Sequence, residues 1–152
     1  METVKKEGFK IIGIKVRTTN QNNQAVTDIP QLWEKFISEN IQEKIPNKVS
    51  SSIFSIYTNY QKDQTQPYDT ILGCEVNALT TIPKGMIGQE FRKDTYAKFT
   101  AKGNLSKGVV YNSWVTIWNK SLDRTFTADF EVYGEKAQNP ADAEVEIFVA
   151  VK

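Results

Sequence analysis

The chain has 152 residues, 39% hydrophobic and 24% charged, with 19 basic and 18 acidic side chains leaving a net charge of +1. That length supports one compact domain, and a near-balanced charge without a basic run argues against direct nucleic-acid binding. Histidine is absent and Cys74 is the single cysteine, which removes histidine-dependent catalytic triads and any internal disulfide, and argues against a zinc site.

Taken in chain order, the first predicted strand is Phe9–Arg17, with Ile12, Ile14 and Val16 on one face. The polar stretch Asn20–Thr27 reads as a surface loop. A helix is expected over Asp28–Ile41, with Asp28 as N-cap, Gln31 as its capping-box partner and Pro30 in the tolerant first turn. Its apolar stripe is Ile29, Leu32, Trp33, Phe36, Ile37 and Ile41. Strands follow at Ser52–Tyr60 and Thr70–Ala78, joined by the polar segment Lys62–Pro67. The segment Leu79–Asp94 carries Pro83, Gly85 and Gly88 and is expected to hold a short edge strand near Ile87–Phe91. The same order then recurs: strand Thr95–Lys102, helix Ser106–Ser121, strand Ala128–Gly134 and strand Ala143–Val151.

The fold class expected is therefore α+β: two β-α-β-β units, about residues 9–79 and 86–152 of a single domain spanning 1–152, related by a pseudo-two-fold axis. Trp33 corresponds to Trp114, and Tyr57 to Tyr133. The seam between such units is a natural place for a cleft. In the last two strands, Phe130 and Val132 oppose Glu131 and Tyr133, and Val145, Ile147, Val149 and Val151 oppose Glu144, Glu146, Phe148 and Ala150. The expectation is that the aliphatic sets cover the helices, leaving acid and aromatic residues on the other sheet face.

No glycine-rich phosphate loop is present, and no cofactor or metal is expected. The longest apolar runs are too short to span a membrane, and Glu2, Lys5, Lys6 and Glu7 follow Met1 where a secretion signal would be apolar, so a cytoplasmic location is expected. The candidate ligand-binding residues are Glu131, Tyr133, Glu75, Tyr57, Phe148, Trp114 and Trp33. A carboxylate surrounded by rings selects a flat or greasy cation, because the ligand restores the lost hydration and each ring adds ~0.5–2 kcal/mol of cation–π attraction. Read from alternation alone, the same glutamates could face solvent, and the tryptophans could fill a core.

Several segments together carry a family resemblance: Ile82–Gly85, Tyr96–Gly103, the pair Trp114 and Trp118, Asp129-Phe130-Glu131-Val132-Tyr133, and the closing Glu146–Val151. Over about residues 5 to 152 the chain resembles the GyrI-like small-molecule-binding family, the effector-binding domain of many AraC-type and MerR-type bacterial activators. The resemblance implies antiparallel strands lining a central groove, helices packed outside, and binding of small, often cationic amphipathic compounds, with the family's ligand-facing acid falling on Glu131. Ala150 stands where the family's closing strand usually has proline. With Phe9 beginning the first strand, no DNA-binding region is expected to precede the domain, so the chain looks like a standalone member. Three roles follow from the resemblance: a sensor or sequestering protein for a small organic cation; a hydrolase of strained-ring compounds, using Glu131 or Glu75 to activate water; or a protein that contacts a transcription factor or a topoisomerase.

Overall fold

Residues 2–152 are described by a computed structural model in which eight strands form one antiparallel sheet. The strands are β1 (Glu2–Lys6), β2 (Phe9–Thr18), β3 (Ile53–Thr58), β4 (Tyr68–Val76), β5 (Ile87–Phe91), β6 (Asp94–Gly103), β7 (Ala128–Tyr133) and β8 (Ala143–Ala150). Helix α1 (Gln24–Ser38) and the short α2 (Ile41–Lys44) follow β2, and α3 (Val109–Trp118) follows β6. The order across the sheet is β1-β6-β8-β7-β3-β4-β2-β5.

That order reads the same way from both ends. The first unit contributes β3-β4-β2 and the second β7-β8-β6, and they meet at the antiparallel β3–β7 seam, where Ser55 lies opposite Glu131. The two outer strands exchange halves: β1 leads into the first unit but pairs with β6 of the second, whereas β5 leads into the second but pairs with β2 of the first. Each unit thus has a leading strand: β5 falls at the short edge strand expected near Ile87–Phe91, whereas β1, a polar edge segment (ETVKK) without alternation, is not marked by the sequence pattern.

The sheet is strongly curved. Neighbouring strands lie about 4.8 Å apart, so rings on β2 and β7, three strand positions apart, would be ~14 Å apart on a flat sheet. Phe9 and Phe130 are instead 5.3 Å apart between ring centroids. The concave face encloses an aromatic cluster of Phe9, Phe54, Phe91, Tyr96 and Phe130, all buried. Gly13 and Gly73 face each other across β2 and β4, and a Cβ on Gly13 would collide with the Leu72 carbonyl oxygen. Glycine is required there for the close backbone approach.

The helices cover the convex face. Leu32 and Phe36 of α1 pack on Ile12, Ile14, Leu72 and Cys74, while Trp114 and Ile117 of α3 pack on Val145, Ile147 and Val149. Helix α1 starts at Gln24, earlier than Asp28 would suggest, because Ala25, Val26 and Ile29 extend its apolar stripe back through the polar stretch. Asp28 is therefore inside the helix, where it accepts a hydrogen bond from Gln24, and Pro30 lies within the helix too. Asn40, in the left-handed region at φ 50°, separates α1 from α2, which takes Ile41 out of the long helix. Asn104 caps the turn before α3 by accepting from the Ser106 amide, and α3 itself runs only from Val109 to Trp118.

One expectation about the faces is corrected. Directly opposed residues on antiparallel strands share a face, and the register pairs Phe130 with Phe148 and Glu131 with Ile147. The aliphatic face of β8 therefore carries Glu131 and Tyr133 with it, towards the helices. Phe130 and Val132 point into the concave cluster instead.

Candidate ligand-binding site

Helix α1 lies on β2 and β4 and helix α3 on β6, and a cavity of about 400 Å³ opens between them over the central strands. Helix α1 lines it with Ala25, Val26, Ile29, Pro30 and Trp33, and α3 lines it with Val110, Tyr111, Trp114 and Trp118. The floor is the helix-bearing face of β3, β4 and β7: Tyr57, Tyr68, Glu131 and Tyr133. Val26, Tyr111 and Trp118 remain exposed at the mouth.

Glu131 is 2% exposed and is held by three donors. Its Oε2 accepts from the Tyr57 hydroxyl and from the Trp114 indole Nε1, each at 2.7 Å, and its Oε1 accepts from the Tyr133 hydroxyl at 2.6 Å. The rings that supply these donors are themselves fixed by aromatic packing. Tyr57 stands edge-on to Trp114 at 5.6 Å, and Tyr133 stands edge-on to Trp33 at 5.0 Å. Among the described residues no lysine or arginine forms an ion pair with Glu131. Burial pushes its carboxyl above the usual range, and the Tyr133, Tyr57 and Trp114 hydrogen bonds pull it back only in part. Burial raises the Tyr57 and Tyr133 hydroxyls as well, with the neighbouring carboxylate adding to it, so both remain protonated donors.

Asp129, two residues earlier on the same face of β7, is handled differently. It is fully buried, and Arg124 (8% exposed) supplies a guanidinium 2.7 Å from its Oδ2. The Tyr60 hydroxyl donates to the same oxygen at 2.6 Å, and the Ala150 amide donates to Oδ1 at 2.8 Å. Arg124, Tyr60, Gln64 and Asn20 form the more polar end of the cavity.

The structure brings Glu131, Tyr133, Tyr57, Trp114 and Trp33 together around this cavity. It places Glu75 and Phe148 elsewhere, so they do not share the cleft as expected. Glu75 pairs with Ile11 and points with it to the concave side, because odd-numbered residues of β4 face away from α1. Phe148 stacks on Phe130 at 4.7 Å in the concave cluster. Sequence reasoning missed Tyr60, Tyr68 and Arg124: the first two sit where β3 and β4 run into their polar connection, and nothing in the local pattern around Arg124 marks it. Among the described residues there is no cluster of three or more side chains suited to a metal ion, and no helix is long and apolar enough to cross a membrane.

A mirrored α+β sheet with a buried acid between its two helices defines a GyrI-like effector-binding domain. The chain belongs to the family of integron-associated effector binding proteins (Cass2), which matches residues 2–151. It is 28% identical over 147 residues to YobU of Bacillus subtilis, which carries the provisional name of a transcriptional regulator, covering 94% of this chain and 92% of YobU. The integron cassette protein VCH_CASS2 from the mobile metagenome of Vibrio cholerae superposes with a TM-score of 0.78 at 30% identity, covering 99% of this chain and 95% of that one. SAV2435, solved bound to tetraphenylphosphonium, superposes with a TM-score of 0.81 over 99% of this chain and 93% of its own, and at 16% identity that likeness is one of fold.

Proposed function

We propose that the α1–α3 cavity binds a small aromatic or amphipathic organic cation, with the Glu131 carboxylate as its counter-charge. One observation carries this reading: a carboxylate buried under rings is held by three neutral donors and no protein cation. Hydrogen bonds recover part of the hydration that an anion loses on burial, but a net charge left in a low-dielectric site costs several kcal/mol. A cation entering the cavity removes that cost, and the faces of Trp33, Trp114 and the floor tyrosines add cation–π attraction. An anionic ligand would compound the same cost. The tetraphenylphosphonium ion seen with SAV2435 belongs to this chemical class, which lends support from a protein of like fold.

The biological role that fits is sensing or sequestering such a compound in the cytoplasm, with the regulatory name of YobU favouring an output through transcription. Hydrolysis of a strained ring draws no separate support from the site, since Tyr57, Tyr133 and Trp114 occupy three of the lone pairs that a general base at Glu131 would offer.

Tryptophan fluorescence tests the reading, because Trp33, Trp114 and Trp118 all line the cavity. Titration with tetraphenylphosphonium should give saturable quenching, and Glu131→Gln should weaken it at least tenfold. Non-saturating quenching, or equal affinity in the variant, would overturn the proposal.

A further inference from the structure

Arg124 has more donors than it uses. A guanidinium carries five N–H groups. Its Nη2 reaches Asp129 at 2.7 Å, and its Nη1 has one long contact, to the Gln64 side-chain oxygen at 3.4 Å. Its Nε is buried without an acceptor. The guanidinium also lies over the Phe126 ring at 4.3 Å, an arrangement that holds its plane in place. Phe126 adopts φ +56°, in the left-handed region that a bulky residue seldom enters. Arg124 and Gln64 both line the cavity, at the end shared with Tyr60 and Tyr68.

We infer that this end of the cavity is a second polar subsite, at which the Nη1 face of Arg124 donates to a neutral hydrogen-bond acceptor on the ligand. The inference rests on the cation reading of the same cavity and narrows the ligand class: a cation carrying an ester, amide or ketone carbonyl on the side away from its positive centre. The acceptor is neutral because Asp129 already balances the charge of Arg124, so a second anion there would face the Asp129 carboxylate. Gln64 is the placeholder. Its side-chain oxygen sits at a distance where a hydrogen bond is weak, on the loop between β3 and β4, and a ligand carbonyl can replace it. The spacing suits a drug-sized molecule: Asp129 and Glu131 are two residues apart on a strand, about 6.7 Å, and Arg124, bonded to Asp129, lines the same cavity as Glu131.

Three dyes with one cationic xanthene core separate the possibilities: tetramethylrosamine, which has no acceptor on its pendant ring, tetramethylrhodamine methyl ester, and tetramethylrhodamine with a free carboxylate. Affinities measured by fluorescence anisotropy on the full chain should rank the ester about tenfold above the rosamine, with the carboxylate no better than the ester. In Arg124→Met/Asp129→Asn, which removes both charges and the guanidinium donors together, the ester-to-rosamine affinity ratio should fall to near one. Equal binding of rosamine and ester by the unaltered protein would overturn the acceptor subsite and leave the cation reading intact, as would a ratio that survives the double substitution. A carboxylate dye that binds best would overturn the neutral-acceptor assignment. Failure of all three dyes to bind would remove the cation reading and this inference with it.

Discussion

Asp129 and Glu131 project from the same face of β7, two residues apart, and Asp129 has a guanidinium at 2.7 Å whereas Glu131 has hydroxyl and indole donors alone. The strand thus carries one acid that is balanced within the protein and one that is not. Both are equally removed from water, so the difference between them lies in charge compensation and not in burial. Proteins keep an uncompensated group of this kind at a cost to stability, and the cost is recovered when a ligand binds.

The first consequence concerns the free protein. Glu131 has its folded pKa above its unfolded value, so the folded state holds the proton more tightly. Its contribution to stability is complete below the unfolded carboxyl pKa and is lost as pH rises through the folded one. At neutral pH Glu131→Gln should therefore raise the melting temperature, by roughly 2–4 °C for a gain of about 1 kcal/mol. The hydrogen bonds survive the change: the amide oxygen accepts from Tyr57 and Trp114, and the Tyr133 hydroxyl turns to accept from the amide nitrogen. Calorimetry of the two proteins checks this, and a lower melting temperature for the variant would contradict it.

Binding should show the opposite dependence on pH. A permanently charged cation needs the ionised carboxylate, so affinity is greatest above the raised pKa of Glu131 and falls about tenfold per pH unit below it. Titrations of tetraphenylphosphonium across a pH series measure the slope. The same series with Glu131→Gln should be flat.

Trp114 is predicted to act through its indole nitrogen as well as its ring. Trp114→Phe keeps an aromatic wall and deletes the donor at 2.7 Å from Oε2. A hydrogen bond to a charged group is worth about 1.5–3 kcal/mol, so without it the carboxylate ionises only at higher pH, and cation affinity should fall at pH values below that shifted titration. The pH midpoint of binding should move upward, a shift that loss of packing alone would not produce.

The Arg124–Asp129 pair should behave as a structural element. Arg124→Met leaves a fully buried carboxylate without its cation and should cost about 3–5 kcal/mol in urea unfolding. Arg124→Met with Asp129→Asn should recover most of that loss. Additive losses in the double variant would contradict the pairing.

Much of the architecture could be read from the chain, because each half repeats one periodic pattern and the strands from β2 onward alternate clearly. The edge strand β1 could not, since Glu2–Lys6 pairs on one side only and has no apolar face to show. The site was half legible. Tyr57, Glu131, Tyr133 and the two helix tryptophans stand out as rings and an acid at matching places in the two units. The face they occupy depends on the register of β7 against β8, and a one-residue slip would exchange Glu131 for Phe130. Alternation within a strand carries no information on that register. Chemistry alone groups Glu75 and Phe148 with Glu131, whereas the register of β4 on β2 and of β8 on β7 puts them on the opposite face.

If the charge on Glu131 is held for a ligand, a carbon-13 NMR titration of its side-chain carboxyl will show it. In the free protein the midpoint should lie above the ordinary carboxyl range, and saturating tetraphenylphosphonium should move it down. A midpoint at the ordinary value in the free protein, or one that the cation leaves unmoved, would contradict the account.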